Sequence, residues 1–148
     1  MKKLLITLFA LIIICSFSRT AKAQDPSEPV FQCSQKAGPD AKYVKDYIVK
    51  LPEANSQAND QIHKNTAILL KNTHYRFTIC NSDNSEGQGI IQLYNNGKKI
   101  ASSITESGKI YPSFDFQCNK TGSYQIWIYF KDGKKGSATG ILSFVIEK

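Results

Sequence analysis

The stretch Tyr124–Phe130, YQIWIYF, is apolar on both sides of an extended chain. Successive side chains of a β-strand point to opposite faces, so Trp127 and Tyr129 share one face and the remaining apolar residues share the other. Apolar side chains on both faces are typical of a strand in the middle of a sheet. The stretch therefore predicts a central strand whose second face is partly covered.

Seven further runs rich in β-branched and aromatic residues are separated by Asn, Gly, Asp and Ser, which favours short strands joined by turns. No segment shows a helical apolar stripe over three turns. We predict an all-β domain over residues 42–148, an antiparallel β-sandwich with jelly-roll-like organisation and about eight short strands. The predicted strands are Tyr43–Leu51, Thr66–Lys71, His74–Cys80, Gly89–Tyr94, Lys99–Ile104, Ile110–Gln117, Ser123–Phe130 and Ala138–Glu147.

Two connections contain a dipeptide suited to tight hairpins. Asn96-Gly97 and Asp132-Gly133 both accept the positive φ angles of a type I′ turn, so we predict a hairpin at each. Both dipeptides are followed by two lysines, which keep exposed turns and edges soluble. The alternative hypothesis is that these lysines bind an acidic partner.

The N-terminus resembles a secretory signal. Lys2 and Lys3 precede an apolar run, and Ala21-Lys22-Ala23 offers a cleavage site, so we predict a signal peptide over residues 1–23. The apolar run is too short to span a bilayer, and no transmembrane span is expected after cleavage. Residues 24–41, polar and proline-containing, are predicted to form an extended lead-in segment.

Removal of the leader changes the charge. The leader carries four of the 19 basic residues and no acid, which leaves 15 basic against 12 acidic residues, a net charge of +3. So small an excess does not favour a nucleic-acid partner. Three cysteines remain, Cys33, Cys80 and Cys118, and in an oxidising compartment one disulfide and one free thiol are expected. The pairing stays open, although Cys33 in the lead-in reaches either partner more easily than Cys80 reaches Cys118.

The chemistry of the sequence does not favour an enzyme. It contains no GxSxG elbow and no GxxxxGK[ST] phosphate loop, and its cysteines lack CxxC spacing. His63 and His74 lie on different predicted elements. The loop CNSDNSEGQG places Asp83 and Glu86 among other oxygen donors, so it is the candidate site for Ca²⁺, and no other cofactor is expected.

Four aromatic residues are predicted to lie opposite the core: Tyr94, Tyr111, Trp127 and Tyr129. Such an amphipathic platform can bind sugars or peptides, because the rings stack and the polar tips form hydrogen bonds. The alternative is that these side chains pack under other parts of the chain.

Four segments together, THYRFTIC, GIIQLYNNGKKIASS, YPSFDFQCNKTGSYQIWIYF and GILSFVI, resemble the pre-peptidase C-terminal and GOLD-type β-sandwich modules. The resemblance covers roughly Thr66 to Lys148 and extends to small exported proteins of Gram-negative bacteria. It implies a β-sandwich that serves as a binding, stabilising or secretion-related module.

These observations lead to one functional hypothesis with an alternative. We expect an exported, non-catalytic binding module, located in the periplasm, on the outer surface or outside the cell, that binds a protein or a cell-envelope component. The alternative is a carbohydrate-binding module that uses the aromatic strand face on a cell-envelope glycan. The oligomeric state is not indicated by the sequence.

Overall fold

The structure, a computed structural model, describes residues 27–54 and 61–146. The predicted signal peptide, residues 1–23, lies outside the described residues. The described residues form one helix and eight strands: α1 (Ser27–Lys36), β1 (Ala41–Leu51), β2 (His63–Leu69), β3 (Thr73–Asn81), β4 (Gly89–Asn95), β5 (Lys98–Ser102), β6 (Ser113–Cys118), β7 (Gly122–Phe130) and β8 (Gly136–Val145). A 3₁₀ turn, Lys131–Gly133, precedes β8.

The strands form two four-stranded antiparallel sheets that pack face to face. Sheet A has the order β1-β8-β3-β6 and sheet B the order β2-β7-β4-β5. Consecutive strands mostly alternate between the sheets, which is the strand order of a jelly roll. The predicted fold class is therefore confirmed, and each predicted strand is present with bounds that differ by at most a few residues. Strand β7 lies between β2 and β4, so its predicted central position is also confirmed.

The core is built from the inward faces of the two sheets. From β7 it takes Tyr124, Ile126, Ile128 and Phe130, all buried, and these pack with buried residues of β3, β4 and β8 such as Phe77, Leu93 and Leu142. The inward side chains alternate with outward ones along each of these strands, as a two-layer sandwich requires. Cys118, which forms no disulfide, is buried in the same core.

The predicted extended lead-in is wrong over most of its described part, because residues Ser27–Lys36 form α1. Glu28 lies in the first turn and Lys36 in the last, where each charge complements the helix dipole. The helix ends before Gly38, which has a φ of 100°. The polar composition conceals the helix, since only Cys33 and Ala37 of this segment are fully buried. At ten residues and with this polarity, α1 falls far short of a membrane-spanning helix, and no other helix of the described chain could cross a bilayer.

A disulfide attaches α1 to the outer face of sheet A. Cys33 is bonded to Cys80 on β3, one of the pairings that the sequence left open. Cys118 lies opposite Thr73, at the far end of β3 from Cys80, which explains why these two cysteines do not pair. A bridge of this kind forms and persists in oxidising compartments.

Arg76 holds the end of the same helix. Its guanidinium donates to the carbonyl oxygen of Ala37 at 2.8 Å, and it pairs with Asp40 at 3.0 Å and with Asp115 on β6 at 2.6 Å. The Arg76 guanidinium also holds the pKa of Asp115 below its usual range. The chain around the C-terminus of α1 is thus joined to two strands of sheet A by one side chain.

The surface beneath α1 is largely polar. Strand β8 contributes Thr139 and Ser143 as well as Ile141, and β3 contributes Thr78, and all four side chains are buried. These residues lie on the outer face, since they alternate with the core residues of the same strands. Burial of so little apolar surface stabilises the docked helix weakly, so its attachment depends on the disulfide and on Arg76.

One predicted hairpin is confirmed and the other is wrong. Asn96 and Gly97 have φ angles of 48° and 75°, as a type I′ turn requires, and they join the paired strands β4 and β5. Asp132 and Gly133 also have positive φ angles, but they lie between β7 of sheet B and β8 of sheet A. That connection crosses between the sheets, and local turn chemistry does not specify whether the next strand pairs or crosses.

We predict that replacing both bridge cysteines, Cys33→Ser with Cys80→Ser, releases α1 while the sandwich remains folded. The bridge closes a separation of 47 residues, and the lost constraint on the unfolded chain costs about 3–4 kcal/mol of unfolding free energy. Denaturant unfolding and the helical component of far-ultraviolet circular dichroism measure the two effects. The Cys118→Ala variant keeps the bridge and should keep the helical signal. An unchanged helical signal in the double variant would contradict the prediction.

We also predict that Gly136→Ala destabilises the fold, whereas Gly122→Ala does not. A Cβ at Gly136 would overlap the buried ring of Phe130, while a Cβ at Gly122 would meet no atom within 4 Å. Overpacking of this kind costs about 1–3 kcal/mol, and the open position should change stability by no more than about 0.5 kcal/mol. Thermal unfolding of the two variants compares them directly. Equal melting temperatures would contradict the packing described at the start of β8.

Candidate functional site

Three aromatic side chains lie together on the outer face of sheet B. Trp127 and Tyr129 come from β7, and Tyr94 comes from the neighbouring strand β4. The inward residues of the same strands occupy the core, so alternation places these three on the opposite face. Each is partly exposed. We call Tyr94, Trp127 and Tyr129 the aromatic face.

Trp127 is contacted by residues from the strands on both sides of it. Its ring stacks on Tyr94 of β4, with the centroids 4.1 Å apart and an interplanar angle of 24°. The ammonium group of Lys64, from β2, lies 4.5 Å from the centroid of the indole ring. Offset stacking and a cation over a ring are both favourable arrangements for an indole. The ring is therefore held in one orientation, with a positive charge fixed beside it.

A buried amide organises the polar side of the aromatic face. Gln92 is only 5% exposed although it lies on the outer face of β4. Its Nε2 donates to Tyr129 Oη at 3.0 Å and to Ser102 Oγ at 3.1 Å, and its Oε1 accepts from Tyr94 Oη at 3.0 Å. Burial raises the pKa of both tyrosines, so both phenols stay protonated at neutral pH. The network fixes the two tyrosine hydroxyl groups relative to each other.

Tyr111, the fourth predicted platform residue, makes a different contact. It lies between β5 and β6, and the Lys109 ammonium is 4.6 Å from its ring centroid. Its side chain is 42% exposed. The structure thus brings three of the four predicted residues into one cluster and adds Lys64 and Gln92, which sequence reasoning missed. Only the strand register shows that these two residues belong to the cluster, because Lys64 and Gln92 are both opposite Trp127 on the flanking strands.

The predicted calcium ligands lie in the connection between β3 and β4. Glu86 forms an ion pair with Lys135 at 2.8 Å, and Asp83 lines a polar cleft beside the start of α1. No group of three or more His, Cys, Asp or Glu residues suited to a metal occurs in the part of the chain that the structure describes. Calcium binding therefore stays a prediction, for which the loop offers few carboxylates.

The two histidines are on different sheets, since His63 begins β2 and His74 lies on β3. His74 Nε2 lies 3.2 Å from Asp115 Oδ2, and the same carboxylate pairs with Arg76. This group links β3 to β6 and, through Arg76, to the chain that follows α1. Its geometry accounts for a structural role in sheet A.

We predict that Gln92→Leu loosens the aromatic face, because the two tyrosine hydroxyl groups lose a buried partner. The loss of these hydrogen bonds should lower the unfolding free energy by about 1–3 kcal/mol. Trp127 is the single tryptophan of the chain, so its fluorescence reports on the stack with Tyr94. Gln117→Leu, on β6 of sheet A, is a matched control that should leave the emission unchanged. Identical emission spectra for the wild type and Gln92→Leu would contradict the prediction.

Comparison with known proteins finds similarity in shape at low sequence identity. No protein-family model matches the sequence, and no curated protein matches it significantly. The chain is similar to the pre-peptidase C-terminal domain of a collagenase from Bacillus anthracis, with 14% identity and a TM-score of 0.46, over 66% of this chain and 87% of that chain. It is also similar to a periplasmic inhibitor of g-type lysozyme from Aeromonas hydrophila, with 12% identity and a TM-score of 0.45, over 72% of this chain and 88% of that chain.

Proposed function

We propose that this protein is an exported, non-catalytic binding module and that the aromatic face of sheet B is its binding surface. The partner is a cell-envelope component or another exported protein. The predicted signal peptide and the Cys33–Cys80 disulfide support export, because such a bridge persists in oxidising compartments. The sequence motifs of common catalytic sites are missing, and the two histidines occupy separate sheets.

The observation that carries the proposal is the organised aromatic cluster outside the core. The sandwich already buries the inward row of β7 completely, so the fold does not require large aromatic side chains on the outer row. The outer rings are nevertheless held by a stack and by a buried glutamine. Partly exposed Trp and Tyr side chains in a fixed orientation are the residues that contribute most to binding surfaces.

A carbohydrate-binding module is the second candidate, and the Gln92 network favours it. The hydroxyl groups of Tyr94 and Tyr129 and the carboxamide of Gln125 lie beside the rings on one face. Hydrogen-bonding groups next to aromatic rings suit a ligand that presents both hydroxyl groups and C–H faces.

The test is binding of the wild type and Trp127→Ala to isolated cell envelopes, by co-sedimentation, and to a glycan panel. Because Trp127 contacts both Tyr94 and Lys64, its loss should weaken binding at least about tenfold, as for an interface hot spot. Phe31→Ala is the control, since this exposed aromatic residue lies on α1, over the other sheet.

Circular dichroism and thermal unfolding establish that each variant is folded before binding is compared. Trp127→Phe, which keeps an aromatic ring at the site, should retain more binding than Trp127→Ala. Equal binding of the wild type and a folded Trp127→Ala variant would show that the aromatic face is not the binding surface.

A further inference from the structure

The two sheets differ in the acidic residues on their strands. The four strands of sheet B contain Lys64, Lys98 and Lys99 and no aspartate or glutamate. Sheet A carries more basic residues on its strands, Lys42, Lys45, Lys50 and Arg76, but it also carries Asp46 and Asp115, and Asp115 is paired with Arg76. A surface that carries basic residues with no acidic residue among them produces a local potential that attracts anions.

Two connections add further lysines at one end of sheet B. Lys71 lies between β2 and β3, and Lys120 lies between β6 and β7. Both connections adjoin the pair Leu69–Gly122, so they meet at the same end of the sandwich as the β4–β5 hairpin. We call Lys64, Lys71, Lys98, Lys99 and Lys120 the lysine rim.

The lysine rim carries unneutralised charge. All five side chains are exposed, and among residues 27–54 and 61–146 none of them forms an ion pair with a carboxylate. By comparison, Glu86, which lies in the connection that precedes β4, forms an ion pair with Lys135, which lies just before β8. Exposed cations without acidic neighbours keep their full attraction for an anion from solution, within the screening length of the medium.

The lysine rim is continuous with the aromatic face. Lys64 is opposite Trp127 in the β2–β7 register, and Lys99 is opposite Tyr94 in the β4–β5 register. With strands about 4.8 Å apart, the two lysines on the outer strands flank the rings across a width of about 14 Å. A ligand lying across the strands would meet a cation, two aromatic rings and a second cation in turn.

From this arrangement we propose that the ligand is an anionic polysaccharide, a polymer of sugars that bear carboxylate or phosphate groups. The inference rests on the proposed function, because it concerns the same surface and names the ligand class. The sugars contact the ring edges and the tyrosine hydroxyl groups, and the acidic groups pair with the lysine rim. The polymer thereby supplies the negative charge that sheet B lacks.

The composition of the surface favours a polysaccharide over an acidic protein. The central part of a protein interface is apolar and depleted of lysine. Here the centre of the face consists of the exposed carboxamide of Gln125 and the partly exposed rings, and the exposed aliphatic residues lie on the edge strands, such as Ile68 and Ile100. A shallow surface of amides, rings and lysines suits a hydrated, charged polymer.

The experiment measures binding of the purified protein to four probes: polygalacturonate, a phosphate-bearing teichoic acid, neutral dextran and poly-glutamate. The first two probes distinguish carboxylate from phosphate as the source of charge. We expect one or both to bind, with an affinity that falls as salt rises, and we expect weak or absent binding of dextran and poly-glutamate.

The variants separate charge from ring contacts. Lys98→Gln with Lys99→Gln should weaken binding of the anionic polysaccharide by about fivefold per lysine, and Lys64→Gln should weaken it as well. Lys42→Gln with Lys50→Gln removes the same charge from exposed positions on β1 of sheet A and should have no effect beyond that of net charge. All five lysines are exposed, so these substitutions leave the core intact.

The outcomes distinguish this inference from the proposed function. If Trp127→Ala abolishes binding but the Lys98/Lys99 variant binds like the Lys42/Lys50 control, the surface is correct and the anionic ligand is wrong. Dextran bound as tightly as polygalacturonate, or poly-glutamate bound more tightly than either polysaccharide, would also overturn the inference. If Trp127→Ala binds every probe like the wild type, the proposed binding surface itself fails.

Discussion

Strand β7 buries the side chains of Tyr124, Ile126 and Ile128 completely between the two sheets, while Trp127 and Tyr129 lie on its other face. The inward row requires a second sheet to cover it, and the inward faces of β3 and β8 provide that cover. The outward row needs either a third layer or polar groups that accommodate aromatic rings. Here polar groups accommodate the rings, because Gln92 forms hydrogen bonds with the two tyrosine hydroxyl groups and the Lys64 ammonium lies over the indole. A buried amide is stable only when its hydrogen-bonding groups are paired, so Gln92 and the rings depend on each other.

On the outer face of sheet A, a helix rather than a polar network covers the outward side chains. Its buried outward residues Thr78, Thr139 and Ser143 are covered by α1. A helix that buries few apolar side chains gains little from the hydrophobic effect, and the disulfide and Arg76 compensate for that. The two outer faces therefore differ in kind. One is partly covered by a covalently attached helix, and the other is left partly open to solvent with its aromatic side chains in fixed positions.

Most of the fold could be predicted from the alternation of apolar and polar side chains along the strands. The features that could not be predicted depend on pairing between segments that are distant in sequence. The period-two pattern predicted all eight strands and the central position of β7, and the dipeptide Asn96-Gly97 predicted the turn between β4 and β5. It could not show that Asp132-Gly133 crosses between sheets, because a turn dipeptide specifies local φ angles and not the sheet that the next strand joins. The helix α1 was missed because its few buried positions are too sparse to give an apolar stripe. Of the candidate site, the rings were predicted, but Gln92 was not, since its burial arises only when β4, β5 and β7 lie side by side.

The jelly-roll order also explains why the lysines gather although they are scattered along the chain. Lys71, Lys99 and Lys120 lie many residues apart in sequence, and none of the local patterns relates them. The order β2-β7-β4-β5 places the ends of β2 and β4 next to the start of β7, so the connections at this end of sheet B converge. Lysines at turns keep exposed backbone soluble wherever they occur. That role alone would be served equally well with acidic neighbours, whereas the strands of sheet B contain none. Lysines that lack acidic residues on the same strands and lie next to ordered rings therefore favour a role in binding an anionic ligand over solubility alone.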